Sequence, residues 1–190
     1  MKLEGALVVM LAVTRAAAQD AEPAPKHGLP FTLHASALFG DGLRFNDPYR
    51  LATVLTNAES VSRTASYVDL VAAITLGDPR KFQAGFSLHT TLALEGVQQT
   101  VLAPSFVLHR RFRDVAAYAR AGSPFVCSPE FTWGLEGALG GVWYVRGGIG
   151  LVAEIVGDIF YGAGTREVSA AAYPVLSGEL GVTIAYEVVP

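Results

Sequence analysis

Ser87 and His89 stand two residues apart, as do His34 and Ser36, and Glu95 follows closely. Nucleophile, base and orienting acid are the parts that ester hydrolysis needs. At a spacing of two, each pair shares one face of a β-strand. A second set carries charge: Glu136, Glu154 and Glu179 against Arg120, Arg111 and His109. Isolated burial of such charges costs several kcal/mol, so they must be paired or hydrated. They predict a carboxylate–arginine network inside the fold. Ser, Thr and His also fill any polar inward face, so the network ranks above hydrolysis, and no catalytic residue is assigned. The four histidines at 27, 34, 89 and 109 lack metal-ligand spacing. Gly147-Gly148-Ile149-Gly150 enters a strand rather than a helix, which removes a dinucleotide reading. No cofactor or metal is expected. The single cysteine, Cys127, cannot form an internal disulfide and reads as an unpaired loop thiol.

The elements that position these residues have a period of two. Strands are predicted over 31–39, 65–76, 82–95, 101–112, 115–121, 131–145, 148–161 and 173–188. Thr32, His34 and Ser36 alternate with Phe31, Leu33, Ala35, Ala37 and Phe39. Tyr67, Asp69 and Thr75 oppose Val68, Leu70, Ala72, Ile74 and Leu76. Tyr118 and Arg120 share a face, and Ser177, Glu179, Thr183 and Glu187 oppose Leu176, Leu180, Val182, Ile184 and Tyr186. Tight turns follow the second, fourth and sixth strands, at Gly77–Lys81, Arg113-Asp114 and Arg146-Gly147. Longer connections follow the first, fifth and seventh, the longest being Gly40 to Thr64. This alternation puts both ends of the domain at the turn end.

The chain has 190 residues, 51% hydrophobic and 16% charged, with 20 glycines. A membrane-spanning helix needs roughly 18–20 apolar residues in a row, and no such run follows residue 20. The net charge of −3 with no basic stripe argues against nucleic-acid binding. Lys2, the apolar stretch Gly5–Val13 and Ala16-Ala17-Ala18 read as a secretory signal peptide over 1–18, cleaved before Gln19. Residues 19–30, with three prolines, read as a flexible lead-in, and 31–190 as the folded domain.

Strands whose outward face is Leu, Ile, Val, Phe and Ala need a partner layer in water but none in lipid. In lipid every backbone group must be paired, which requires closure. The expected fold is therefore all-β: a closed, antiparallel, eight-stranded up-and-down transmembrane barrel. Gly85, Gly134, Gly140, Gly150 and Gly181 leave room for polar groups inside. Phe31, Phe39, Phe82, Phe112, Trp133, Trp143 and Tyr161 would form aromatic girdles.

The last strand, Glu179-Leu-Gly181-Val-Thr-Ile184-Ala-Tyr186, resembles the C-terminal signal of outer-membrane barrels. That pattern is a polar residue, a glycine two on, then apolar or aromatic residues at alternate positions; here Glu187–Pro190 follow the aromatic. The mature chain resembles the small eight-stranded bacterial outer-membrane barrels, the OmpA-type transmembrane domain and OmpX-like proteins; no C-terminal peptidoglycan-binding domain is expected. The resemblance implies a Gram-negative outer-membrane location and insertion by the barrel-assembly machinery through Glu179, Gly181, Ile184 and Tyr186. It also implies contact with outer-membrane lipids and lipopolysaccharide as a monomer, in a non-enzymatic structural or surface-interaction role with a filled lumen. Some such barrels modify lipid A, which is where a Ser/His/acid set would act. The same strand pattern also fits a narrow pore, or a soluble periplasmic barrel for an apolar ligand.

Overall fold

The computed structural model describes residues 29–45, 61–129, 131–161 and 172–188. The signal-peptide reading over 1–18, nearly all of the lead-in, and much of the loop between Gly40 and Thr64 lie outside them. The chain divides into two compact units. One, Met1–Leu29 with Pro190, is almost entirely outside the described residues; the other, Pro30–Val189, is the barrel.

Every regular element among the described residues is a strand: β1 (Phe31–Phe45), β2 (Val61–Arg63), β3 (Tyr67–Leu76), β4 (Phe82–Ala93), β5 (Thr100–Phe112), β6 (Val115–Gly122), β7 (Phe125–Ser128), β8 (Thr132–Arg146), β9 (Ile149–Tyr161) and β10 (Ala172–Val188). All pairings are antiparallel, and β10 pairs with β1 from Phe31↔Val188 to Arg44↔Val175, which closes the ring. β6 and β7 both lie between β5 and β8, so together they form one stave. Among the described strands, β2 pairs with β1 alone. The barrel thus has eight staves, as the alternation predicts.

Following register partners from His34 through Ala73, Ser87, Ser105, Gly122, Glu136, Asp158 and Val175 leads back to β1 at Arg44, ten residues further on. Ten residues at ~3.3 Å against eight strands at ~4.8 Å tilts the strands by roughly 40° from the barrel axis. Eight strands leave an interior that side chains can fill.

Two connections are shorter than the sequence suggests. Gly40–Phe45 continues β1 instead of opening a loop, pairing with β10 on one side and β2 on the other. Glycine and aspartate discourage a strand reading, yet Gly40 is needed: the Tyr67 ring lies where a side chain at 40 would stand. The fifth stave likewise resumes as β7 after a break at Ser123-Pro124. Ser123 N–H donates to the Pro104 carbonyl and Gly134 N–H to that of Pro124, so the ladder stays paired across the gap. Cys127 therefore sits on an exposed strand rather than in a loop.

The tight turns carry the backbone cost of reversal. Gly77 (φ +113°) and Gly147 (φ +57°) occupy conformations that favour glycine, and Arg113 (φ +56°) adopts the left-handed region in the two-residue β5–β6 turn. These turns and the ends Phe31 and Val188 define the turn end; the opposite rim is the loop end.

Parity does the sorting. Mid-barrel Leu139 is 70% exposed and Phe86 and Leu180 68% each, whereas Arg120 is 5% exposed and Glu154 4%. Phe82, Phe112, Trp133, Trp143 and Tyr161 face outward near the strand ends. Phe39 also faces outward, but opposite Leu180 within the extended β1 rather than at a strand end, and Phe31 at the start of β1 is half-buried. Trp133 packs on Tyr161 at the loop end, and Arg110 lies over Phe82 and Phe112 at the turn end.

Candidate functional site

The polar groups meet inside the barrel, in layers. Nearest the turn end, Gln83 donates to Thr32 Oγ1 (3.1 Å) and to the Gly77 carbonyl (3.0 Å), and accepts from Thr75 Oγ1 (3.2 Å). Arg111 donates to Glu187 Oε1 at 2.6 Å and lies over the Tyr144 ring. Above them Leu38, Val142 and Val152 form an apolar layer, with Val71 against it. Ser36 donates to Thr183 Oγ1 beside this layer.

At mid-height stands the ionic cluster. Arg120 Nε donates to Glu154 Oε1 at 2.5 Å, and its Nη1 to Glu136 Oε1. Tyr118 donates its hydroxyl to the other oxygen of Glu154. Beside Glu154, Glu179 Oε1 accepts from the Tyr67 hydroxyl at 2.9 Å, Tyr67 reaching it from two staves away on β3. Glu154 and Glu179 are register partners on β9 and β10, so the two tyrosines approach adjacent carboxylates from opposite sides. Each tyrosine is held the same way: the Tyr67 ring covers Gly40 on the next stave, and the Tyr118 ring covers Gly140. An aromatic ring over a strand glycine fills the missing side chain and fixes the ring. Asp69 completes the layer, accepting from Thr91 Oγ1 (2.9 Å) and lying 2.6 Å from Nδ1 of His89.

The predicted charged residues thus all face inward, but they do not form one network. Arg120, Glu136 and Glu154 come together. Glu179 instead binds Tyr67, and Arg111 pairs with Glu187 at the turn end. The His109 ring lies against that of His34, centroids 5.0 Å apart and tilted by 55°, and neither of its nitrogens has a partner among the described residues. The cause is height: residues 109 and 111 lie near the turn end of β5, while 120 lies at mid-barrel on β6. Asp69, Tyr67 and Tyr118 are the residues that charge reasoning passed over. Their signal was inward parity, with a glycine on the neighbouring strand for each tyrosine.

The hydrolytic set is also rearranged. Glu95 sits at the loop-end rim, accepting from the N–H and hydroxyl of Ser66 and paired with Arg63. The Ser66 N–H first, then its hydroxyl, then Arg63 hold its carboxyl below the usual glutamate range. His34 reaches Thr75. The acid beside His89 is Asp69, while Ser87 Oγ and His89 Nε2 are buried without a partner among the described residues.

The segment read as an insertion signal is the closing strand. Glu179 and Gly181 point inward, and Ile184 and Tyr186 outward at 58% and 67% exposure. A side chain at Gly181 would meet the Ala37 carbonyl of β1, so the glycine permits close seam pairing. Above the ionic cluster the lumen widens into a cavity of about 510 Å³ that reaches the loop-end rim at Arg63 and Gln99.

These features define a class: a closed, antiparallel, eight-stranded up-and-down β-barrel, apolar outside and ionic within. It is the architecture of the small outer-membrane barrels that the last strand resembles. No protein-family profile and no curated protein matches the chain. Among solved structures, Neisserial surface protein A aligns over 82% of this chain and 95% of its own, at 15% identity and a TM-score of 0.49. OprG from Pseudomonas aeruginosa aligns over 84% and 97%, at 12% identity and 0.41. AlkL, solved in DMPC lipid bilayers, aligns over 90% and 96%, at 10% identity and 0.43.

Proposed function

We propose that the chain is an integral outer-membrane barrel, exported by a cleaved 1–18 signal. It inserts through the barrel-assembly machinery as a monomer in contact with lipopolysaccharide, and serves envelope structure or surface interaction, not catalysis. The supporting observation is the inversion of polarity. Leu, Ile, Val and Phe face out all round a ring with no unpaired edge, while Arg120 and its carboxylates face in. A hydrocarbon surrounding is the solvent that such a surface fits. On this reading the ionic cluster, with the apolar layer and Gln83 beneath it, closes the lumen to ions. The test is planar-bilayer recording of the refolded chain. Reconstituted protein without discrete conductance steps supports the closed lumen; reproducible steps reject it and favour a narrow pore.

One observation favours a second reading. The Asp69–His89 contact, with Ser87 on the same face, has the parts of a hydrolytic triad. All three lie inside the lumen, away from acyl chains in the bilayer. Incubation with lipopolysaccharide followed by mass spectrometry of lipid A decides it: a lost or moved acyl chain establishes the enzyme, unchanged lipid A removes it.

A further inference from the structure

The cavity above the ionic cluster has carboxylate oxygens that the described protein does not satisfy. Glu179 is only 4% exposed; Oε1 accepts a hydrogen bond from the Tyr67 hydroxyl, while Oε2 is buried with no partner among the described residues. Asp158 Oδ1, on the wall of the same cavity, is in the same state. Of the nearby guanidinium groups, Arg120 binds Glu136 and Glu154, and Arg63 binds Asp41 and Glu95 at the rim. Arg44 also lines the cavity, lies over the Tyr173 ring at 4.1 Å, and has its Nε buried with no partner among the described residues. An ionised carboxylate removed from water needs a counter-charge and donors.

We propose that this cavity binds a linear aliphatic diammonium ion, one ammonium on Glu179 and the other on Asp158. The volume lies within the roughly 300–1,000 Å³ of small-molecule pockets. Asp158 is the register partner of Val175, four residues along β10 from Glu179. That is about 13 Å along the strand. A metal ion, whose oxygen ligands stand at roughly 2.0–2.6 Å, does not suit such spacing, but a flexible two-ended cation does. Val156 and Ser177 stand between the two carboxylates on β9 and β10, and both line the cavity. Beyond Asp158, towards the loop end, Phe160 and Tyr173 stack at 5.6 Å and line the same cavity, offering ring faces to the ammonium at that end. Arg44 on Tyr173 is an internal example of a cation held by that wall.

Isothermal titration of the refolded full chain in detergent micelles tests this, with putrescine, butylamine, butanol and Mg²⁺ as titrants. Putrescine should bind saturably, butylamine at least about tenfold more weakly, and butanol and Mg²⁺ not measurably. Glu179→Gln and Asp158→Asn should each weaken putrescine at least about tenfold, while Glu187→Gln at the turn end leaves it unchanged. Absence of saturable putrescine binding, equal binding of Mg²⁺, or wild-type affinity in Glu179→Gln overturns the proposal. If Glu179→Gln does not fold, Asp158→Asn decides alone. The micelle measurement involves no ion gradient, so its result stands apart from the conductance of the lumen.

Discussion

Replacing Arg120 with Met keeps an unbranched apolar stem and deletes the guanidinium. Two carboxylates then lose their cation together. Among the described residues Glu154, 4% exposed, then keeps the Tyr118 hydroxyl alone, and Glu136 keeps Ser105 Oγ alone, at 3.4 Å. Removing one partner of a buried pair typically costs about 3–5 kcal/mol, because the remaining charge stays buried and uncompensated. We expect a loss of that size for Arg120→Met, measured by urea unfolding in micelles with Trp133 and Trp143 as fluorescent reporters. On heat-shift gels the folded band should disappear at lower temperature. A cavity left by a shortened side chain would give a similar loss, so the sign of the coupling is the sharper test. Adding Glu136→Gln and Glu154→Gln to Arg120→Met removes the uncompensated charges while keeping volume nearly constant. Stability should return by roughly 0.5–3 kcal/mol, the usual size of coupling within one network. A loss below about 1 kcal/mol for Arg120→Met, or a triple variant no more stable than the single one, refutes the ionic account of the barrel interior.

Tyr67→Phe leaves both oxygens of Glu179 without a described partner and should cost about 1–3 kcal/mol, while Tyr186→Phe on the outer surface should be nearly neutral; comparative unfolding midpoints check both. Leu139→Lys, at the middle of the outer belt, should cost about 2–4 kcal/mol in lipid and Tyr186→Lys, near the turn end, about 0–1; equal costs in vesicle-refolding titrations would contradict a membrane-crossing belt. Gly77→Ala forces an L side chain to φ +113° and should destabilise by about 1–3 kcal/mol, seen as a lower urea midpoint. Glu95 is held below its usual range by Ser66 and Arg63, so its contribution is present at neutral pH and is lost as pH falls through the lowered value. The Ser66 amide resonance should titrate with a midpoint below about 4.3, the free glutamate value, and Glu95→Gln should abolish that titration.

What was legible in the sequence follows from what a strand period encodes. Alternation fixes which side of the sheet a residue faces, and Arg120, Glu136, Glu154 and Glu179 stand on the inner face. Composition along a strand does not encode stagger. Around this ring the chain climbs ten residues, so inner residues meet according to height and neighbouring stave, not according to charge. Tyr118 and Arg120 both reach Glu154 two staves away; Arg111, nine residues before Arg120, reaches Glu187, the Arg113 carbonyl and the Tyr144 ring at the turn end. Gly40 and Gly140 were readable as small inner residues but not as seats for Tyr67 and Tyr118, because a seat exists only once the register brings Gly40 beside Tyr67 and Tyr118 beside Gly140. The same register explains why β1 runs on to Phe45. Its glycines and aspartate discourage a strand locally, while β10 offers a complete ladder as far as Val175. Closure therefore overrides local preference at the seam, and the seam brings Glu179 beneath the loop-end cavity. The strand that completes the ring also supplies the carboxylate with an unanswered oxygen, so closing the barrel and building the cavity's charge are one structural event.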